Sequence, residues 1–128
     1  MHKVFVYGSL LSGMGNHGLL SDSKKLGDTK SPEGFDMLDL GYFPGIVKGE
    51  GKVMGEVYEV DDNTLIRLNR LEGYREMAPE SGLYNRMEID TEFGKAFVYV
   101  YNNHYGRSPQ AIVENGDWRT HYNKKLKR

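Results

Sequence analysis

The amino-acid sequence predicts an α+β domain whose mixed or antiparallel sheet curls toward a small barrel. Three observations carry this. Short strand-like runs follow one another in series, one segment has clear helical periodicity, and strands and helices show no regular alternation of the βαβ kind. The 128 residues suffice for one domain, 1–128, and no linker, repeat or low-complexity tract divides them.

The elements follow in order. His2 to Tyr7 alternates and is rich in β-branched and aromatic residues, so it reads as the first strand. Gly8 to Gly18 is a glycine-rich loop, with a short helical turn near Asn16 to Leu20. Lys24 to Ser31 and Phe35 to Leu40 are strand candidates. The second ends at the turn Gly41-Tyr42-Phe43-Pro44-Gly45, and Ile46 to Lys48 forms a short strand after it. Lys52 to Val60 is a longer strand in which Gly55 marks a bulge or a close approach. Asp62 to Glu72 is the main helix: Asp61 or Asp62 caps it, Leu65, Leu68 and Leu71 recur at helical spacing, and Gly73 sits where a left-handed C-cap belongs. Leu83 to Asp90 and Lys95 to Tyr101 form a hairpin through Gly94. Alternation puts Phe97, Tyr99 and Tyr101 on one face of the last strand. The basic tail Asn123 to Arg128 reads as a solvated terminus.

Composition narrows function. Lys+Arg 17 against Asp+Glu 18 gives a net charge of -1, without the basic excess of a general nucleic-acid binder. No apolar run approaches the ~20 residues of a membrane span. The absence of cysteine excludes a disulfide scaffold, a thiolate metal site and a cysteine nucleophile, and fits a cytoplasmic setting. His2, His17, His104 and His121 lack paired metal-ligand spacing, so neither a metal nor another cofactor is expected.

Glu72 is the residue that does not fit its surroundings. Four residues after Leu68 and seven after Leu65, it projects from the apolar side of the helix, while Arg67 and Arg70 lie opposite. Desolvation and the carbonyls of the last helical turn both disfavour its charge and raise its pKa. It reads either as a general acid/base in an apolar wall or as a helix-end carboxylate paired with Arg75 or Arg86.

The glycine loop is neither a P-loop nor a serine-nucleophile elbow. The ammonium is missing after Gly13, and G-x-S-x-G is absent around Ser9 and Ser12. A dinucleotide-like spacing at Gly13, Gly15 and Gly18 lacks the crossover helix that would give it meaning. What remains is a strand stopping at Gly8-Ser9. There the conformational freedom of Gly8 would leave neighbouring amides pointing one way to hold a carboxylate or oxyanion, unless the turn merely closes a barrel end.

Two stretches together resemble the gamma-glutamylcyclotransferase-like family: Val4-Phe5-Val6-Tyr7-Gly8-Ser9-Leu10 and Leu68-Asn69-Arg70-Leu71-Glu72-Gly73-Tyr74. Tyr84-x-Arg86, Ala96 to Tyr101 and Gly116-Asp117-Trp118-Arg119 are similar to later landmarks of its short branch, which includes gamma-glutamylamine cyclotransferases. The resemblance implies a small mixed β-barrel with one main helix, short peripheral helices and a cavity at one end. It implies that Tyr7, Gly8, Ser9 and Leu10 bind substrate and that Glu72 is the acid/base. Arg86 and Tyr105 are further candidates for substrate contact. Two positions depart from the family pattern: Asn69 stands in place of Asp, and Leu11 where a basic or polar residue is frequent. The implied reaction is intramolecular aminolysis of a γ-glutamyl amine or dipeptide, releasing 5-oxoproline and a free amine, with no metal or cofactor. The implied partner is that small molecule, not nucleic acid or membrane, and the chain is a monomer or homodimer. The alternative from another class is a non-catalytic ligand-binding or interaction protein on the same fold.

Overall fold

A computed structural model describes residues 1–102 and 112–126. The strands are β1 (His2–Val6), β2 (Lys24–Lys30), β3 (Phe35–Asp39), β4 (Pro44–Lys48), β5 (Met54–Val60), β6 (Tyr84–Thr91) and β7 (Gly94–Tyr101). The helices are α1 (Asp62–Leu71) and α2 (Trp118–Leu126). Five strands make one sheet in the order β2-β5-β1-β7-β6, and β3 pairs with β4 in a separate ribbon. β1 is parallel to β7, and the other pairings are antiparallel.

The sheet is therefore mixed, as expected, but the expected barrel does not close. β2 and β6 end the five-stranded sheet, and no ladder joins them among the described residues. The β3–β4 ribbon closes one side by packing instead of by main-chain pairing. A Cβ at Gly45 would lie 2.8 Å from the Tyr101 Cβ, so only glycine lets β4 press onto β7. Tyr84 Oη then donates to the Pro44 carbonyl at 2.6 Å.

From Val4 to Val6, β1 is buried on both faces, which is why that stretch is continuously apolar. Val4 and Val6 pack with Leu65 and Leu68 of α1, whereas Phe5 packs with Met37, Ile46 and Trp118 of α2. Gly55 is a close approach and not a bulge: a Cβ there would meet the Val6 carbonyl at 2.3 Å and the Phe5 ring at 2.6 Å. The register shift falls on its partner, between Lys25 and Gly27.

α1 begins and ends as its sequence predicts. Asp61 accepts from the Thr64 amide at 2.8 Å. At the other end the Gly73 amide donates to Arg70 and the Tyr74 amide to Asn69, with Gly73 at φ 67, a Schellman motif. The buried stripe is Thr64, Leu65 and Leu68, while Leu71 is 41% exposed.

α2 corrects one expectation: its nine residues nearly match the ten of α1, so it is not a short peripheral helix. Asn123 to Leu126 belong to it and stay largely exposed. Trp118 is its one buried residue, so it carries no apolar stripe for periodicity to detect. Among the described residues no helix is long and apolar enough to cross a membrane.

Candidate active site

A cavity of about 360 Å³ opens where β1 runs into the glycine loop and α1 ends. Tyr7, Gly8, Ser9, Leu10 and Glu72 all line it. Tyr84 and Tyr99 add to its wall, and Tyr42, Phe43, Leu71 and Leu83 surround it with apolar surface. Its volume lies at the low end of the roughly 300–1,000 Å³ typical of small-molecule sites.

Glu72 reaches this cavity because it occupies the C-cap of α1, one turn beyond Leu68 on the buried side. The Schellman turn through Gly73 fixes its backbone. Burial pushes its carboxyl up to about 7 from an ordinary 4.5, and no cation offsets that. Among the described residues its carboxylate takes no hydrogen bond or ion pair. Arg86, one of its two candidate partners, is committed elsewhere. Its guanidinium donates to Asn69 Oδ1 at 3.3 Å and stacks on Phe97 and Tyr74, 4.2 and 4.8 Å from the ring centroids.

Opposite Glu72, the amides of Gly8, Ser9 and Leu10 find no main-chain acceptor among the described residues, whereas the Leu11 amide closes a turn onto Gly8 O at 3.0 Å. Ser9 Oγ accepts from Asn16 Nδ2 at 2.9 Å and keeps its own proton for a ligand. Three successive unpaired amides at a strand end are the kind of main-chain donors from which anion-binding nests are built. Gly8 is required there for a reason other than the expected conformational freedom: a Cβ would lie 2.6 Å from Pro44 Cγ and 2.7 Å from Cδ.

The tyrosine wall is rigid. Tyr7 Oη donates to Tyr99 O at 2.6 Å, and Tyr99 Oη to Asn69 Oδ1 at 2.6 Å. Burial raises the pKa of Tyr7, Tyr84 and Tyr99, and the Glu72 charge adds to it, so all three stay protonated at neutral pH. With their protons already donated to protein acceptors, these phenols shape the cavity wall. Asn69, accepting from both Tyr99 and Arg86, ties α1 to β6 and β7.

The sequence-predicted residues are thus partly brought together. Glu72, Tyr7, Gly8, Ser9 and Leu10 share the cavity, and Arg86 does not line it. Tyr105 lies outside the described residues.

Sequence reasoning missed Glu56, whose side chain is 2% exposed at the centre of a polar knot beneath the loop. It accepts from the Ser12 amide (2.9 Å), Ser12 Oγ (2.8 Å), Tyr58 Oη (2.9 Å) and Arg119 (3.0 Å). Burial alone would raise its pKa, but those donors hold the carboxyl at about 2. Arg119 also donates to Ser12 O at 2.7 Å, so β5 and α2 together clamp the loop that carries the free amides. The available signal was parity: Glu56 shares the inward face of β5 with Tyr58 and Val60.

The cavity thus brings one desolvated carboxylate and one cluster of unpaired amides together within apolar walls. Residues 4–120 match the family described as gamma-glutamyl cyclotransferase, AIG2-like. The chain belongs to that family and is a gamma-glutamylcyclotransferase-like enzyme. It is 37% identical over 116 residues to the gamma-glutamylcyclotransferase family protein YtfP of Escherichia coli, covering 91% of this chain and 95% of that one. In structure it is similar to an uncharacterized protein of Pyrococcus horikoshii (TM-score 0.79, 31% identity, 100% and 98% of the two chains). It is also similar to a mouse AIG2-like protein (TM-score 0.72, 26% identity, 91% and 88%).

Proposed function

We propose that the chain cyclises the γ-glutamyl group of a γ-glutamyl amide, releasing 5-oxoproline and a free amine, with Glu72 as the general acid/base. One observation carries the reading: a carboxyl raised to about 7 lines the same cavity as the unpaired amides of Gly8, Ser9 and Leu10.

The substrate's α-carboxylate is permanently charged and needs a receptor. No Lys or Arg lines the cavity among the described residues, so the loop amides take it. With that end anchored, the chain folds until its α-nitrogen faces its own δ-carbonyl. Holding that geometry supplies much of the rate, since oriented intramolecular attack reaches effective molarities of ~10⁵–10⁸ M. Glu72 removes a proton from the α-ammonium. The nitrogen attacks the δ-carbon and the ring N–C bond forms; Glu72 returns the first proton to the amide nitrogen, the amide C–N bond breaks, and the ring nitrogen's second proton passes to the departing amine, which leaves as an ammonium. Atoms and charge balance without a co-reactant.

The pKa of Glu72 decides whether this transfer is cheap. A peptide-like α-amine titrates near ~8. An ordinary carboxylate at 4.5 would be mismatched by about 3.5 units. At about 7 the mismatch shrinks to one, which at 1.36 kcal/mol per unit saves roughly 3 kcal/mol.

The test is 5-oxoproline release from a panel of γ-glutamyl amides and dipeptides. Glu72→Gln is expected to stay folded and lose about 10²–10⁴-fold in kcat/KM. Near-normal turnover by the Gln variant would remove Glu72 from the mechanism. A ligand-induced thermal shift without product would make the site a binding site only.

A further inference from the structure

The direction of the unpaired amides at Ser9 and Leu10 is set from behind the loop. In a trans peptide the N–H and the C=O point opposite ways, and no cis bond occurs among the described residues. The Ser9 amide therefore points away from Gly8 O, which accepts from the Leu11 amide at 3.0 Å. The Leu10 amide points away from Ser9 O, which accepts from the Asn16 amide at 2.8 Å. Both of these anchors are main-chain bonds.

One side chain completes the set. His17 Nδ1 lies 2.9 Å from Leu10 O, and a carbonyl only accepts, so Nδ1 carries the proton and donates it. The Leu10 carbonyl belongs to the same peptide unit as the Leu11 N–H. His17 thus grips one end of the unit whose other end grips Gly8 O. The chain of bonds runs from the imidazole to Leu10 O, then from the Leu11 N–H to Gly8 O, and it ends at the Ser9 N–H. Hydrogen bonds in series polarise one another, so the donor that starts the chain strengthens the donor that ends it.

The imidazole is itself held. It opens the 3-10 turn His17–Leu20, which the buried Leu20 anchors in the core. Its ring packs on Tyr58 with centroids 5.7 Å apart. Tyr58 Oη donates to Glu56, the carboxylate that also accepts from the Ser12 amide. Asn16, next to His17, donates through Nδ2 to Ser9 Oγ at 2.9 Å, so the same short segment holds the loop at a second point. His17 does not line the cavity, and its reach to the site runs through the loop backbone.

On the cyclotransferase reading, in which the loop amides take the substrate's α-carboxylate, we propose that His17 is a positioning residue. By fixing the Leu10–Leu11 peptide it aims the Ser9 amide, and so makes the site select a carboxylate over a neutral group at that position.

The experiment measures amine release from γ-glutamyl butylamide and γ-glutamylalanine, and from both with the α-carboxylate replaced by a carboxamide. The quantity read is the ratio of kcat/KM, carboxylate over carboxamide. The different basicities of the two α-amines cancel when that ratio is compared between proteins. The wild type is expected to favour the carboxylate. His17→Phe keeps a ring against Tyr58 and loses the donor. It is expected to lower the ratio roughly two- to tenfold, the span of one net hydrogen bond. The loss should fall on KM with kcat little changed, because the carboxylate is held alike before and during the reaction. His17→Asn puts an amide N–H where Nδ1 stood and is expected to recover most of the loss.

A merely structural histidine would affect both substrates alike, and an unchanged ratio in His17→Phe overturns the proposal. So does an Asn variant no better than the Phe one, or a wild type without carboxylate preference. If the Phe variant does not fold, His17→Leu and His17→Asn, alike in shape and unlike in donor, give the same comparison. If no γ-glutamyl amide is turned over, the cyclotransferase reading itself fails. Calorimetry with 5-oxoproline and its carboxamide then reads the preference without turnover, and a preference that is absent or unmoved by His17→Phe overturns the role of His17.

Discussion

The raised pKa of Glu72 predicts a stability effect that needs no substrate. Below about pH 4.5 the carboxyl is protonated in the folded and the unfolded chain alike, and it contributes no pH dependence. Between 4.5 and about 7 the unfolded chain ionises while the folded one does not. The unfolded state then binds fewer protons, and stability falls by about 1.36 kcal/mol per pH unit. Above 7 both forms are ionised and the penalty is constant. The full span, from 4.5 to about 7, amounts to about 3 kcal/mol, an upper value that local relaxation and entering water will reduce.

Glu72→Gln removes this titration and little volume. Whatever its amide gains or loses in hydrogen bonding is independent of pH, so the quantity to read is the change in the mutant-minus-wild-type difference. That difference is expected to move in favour of Gln by about 1–3 kcal/mol between pH 4.5 and pH 8.5. For a chain of this size it corresponds to a relative shift on the order of 5–10 °C in melting temperature. Urea or thermal unfolding of both proteins at the two pH values measures it, and other titrating groups cancel in the subtraction. Parallel pH profiles would show that the carboxyl is not desolvated and is no better matched to an α-ammonium than an ordinary carboxylate.

Three further outcomes follow from the same geometry. The acid limb of kcat/KM is expected at an apparent pKa of about 7, where Glu72 becomes a base, and 5-oxoproline release measured across pH 5–9 would refute this with a limb near 4.5. Gly8→Ala puts a methyl group 2.6 Å from the Pro44 ring; the amide loop must shift, and a displacement of ~1 Å is expected to lower kcat/KM by about 10²-fold with a stability loss of about 1–3 kcal/mol, both measured on the purified variant. Glu56→Ala leaves Arg119 and the Ser12 amide without their acceptor and is expected to cost about 3–5 kcal/mol in urea unfolding at pH 7. Because the folded pKa of Glu56 is about 2, its stabilisation is present above 4.5 and lost as pH falls toward 2, so the Ala variant should lack that component of acid unfolding.

Much of this was legible in the sequence wherever one local rule decided the outcome. Asp61, the spacing of Leu65 and Leu68, and Gly73 locate α1 and put Glu72 on its buried side without any tertiary information. Strand runs were equally readable, because β-branched alternation and glycine turns are local. What escaped detection depends on partners far along the chain. α2 buries only Trp118 and is held by Asp39, 82 residues from His121, and by Glu56, 63 residues from Arg119. Glu56 itself sits between Gly55 and Val57; its parity with Tyr58 and Val60 points it inward, but the donors that hold it charged come from the loop and α2. A closed barrel is not found because β2 and β6 end the five-stranded sheet with no ladder between them among the described residues, a pairing that no local pattern specifies.

These long-range contacts also explain how a cavity made of distant segments keeps a fixed shape. α2 touches neither Glu72 nor the free amides, yet it grips both things that face them. Arg119 fixes the amide loop through Ser12 and Glu56, and His121 and Lys125 fix the aromatic turn of Tyr42 and Phe43 through Asp39. Exposed ion pairs contribute little, but here the acceptors are 2% and 13% exposed, so the pairs are desolvated enough to hold geometry. The spacing of the amide loop and the aromatic turn is therefore set by one helix with almost no apolar face. A change in α2 should displace that loop and turn before it displaces Glu72, because Glu72 is fixed separately by the Schellman turn of α1.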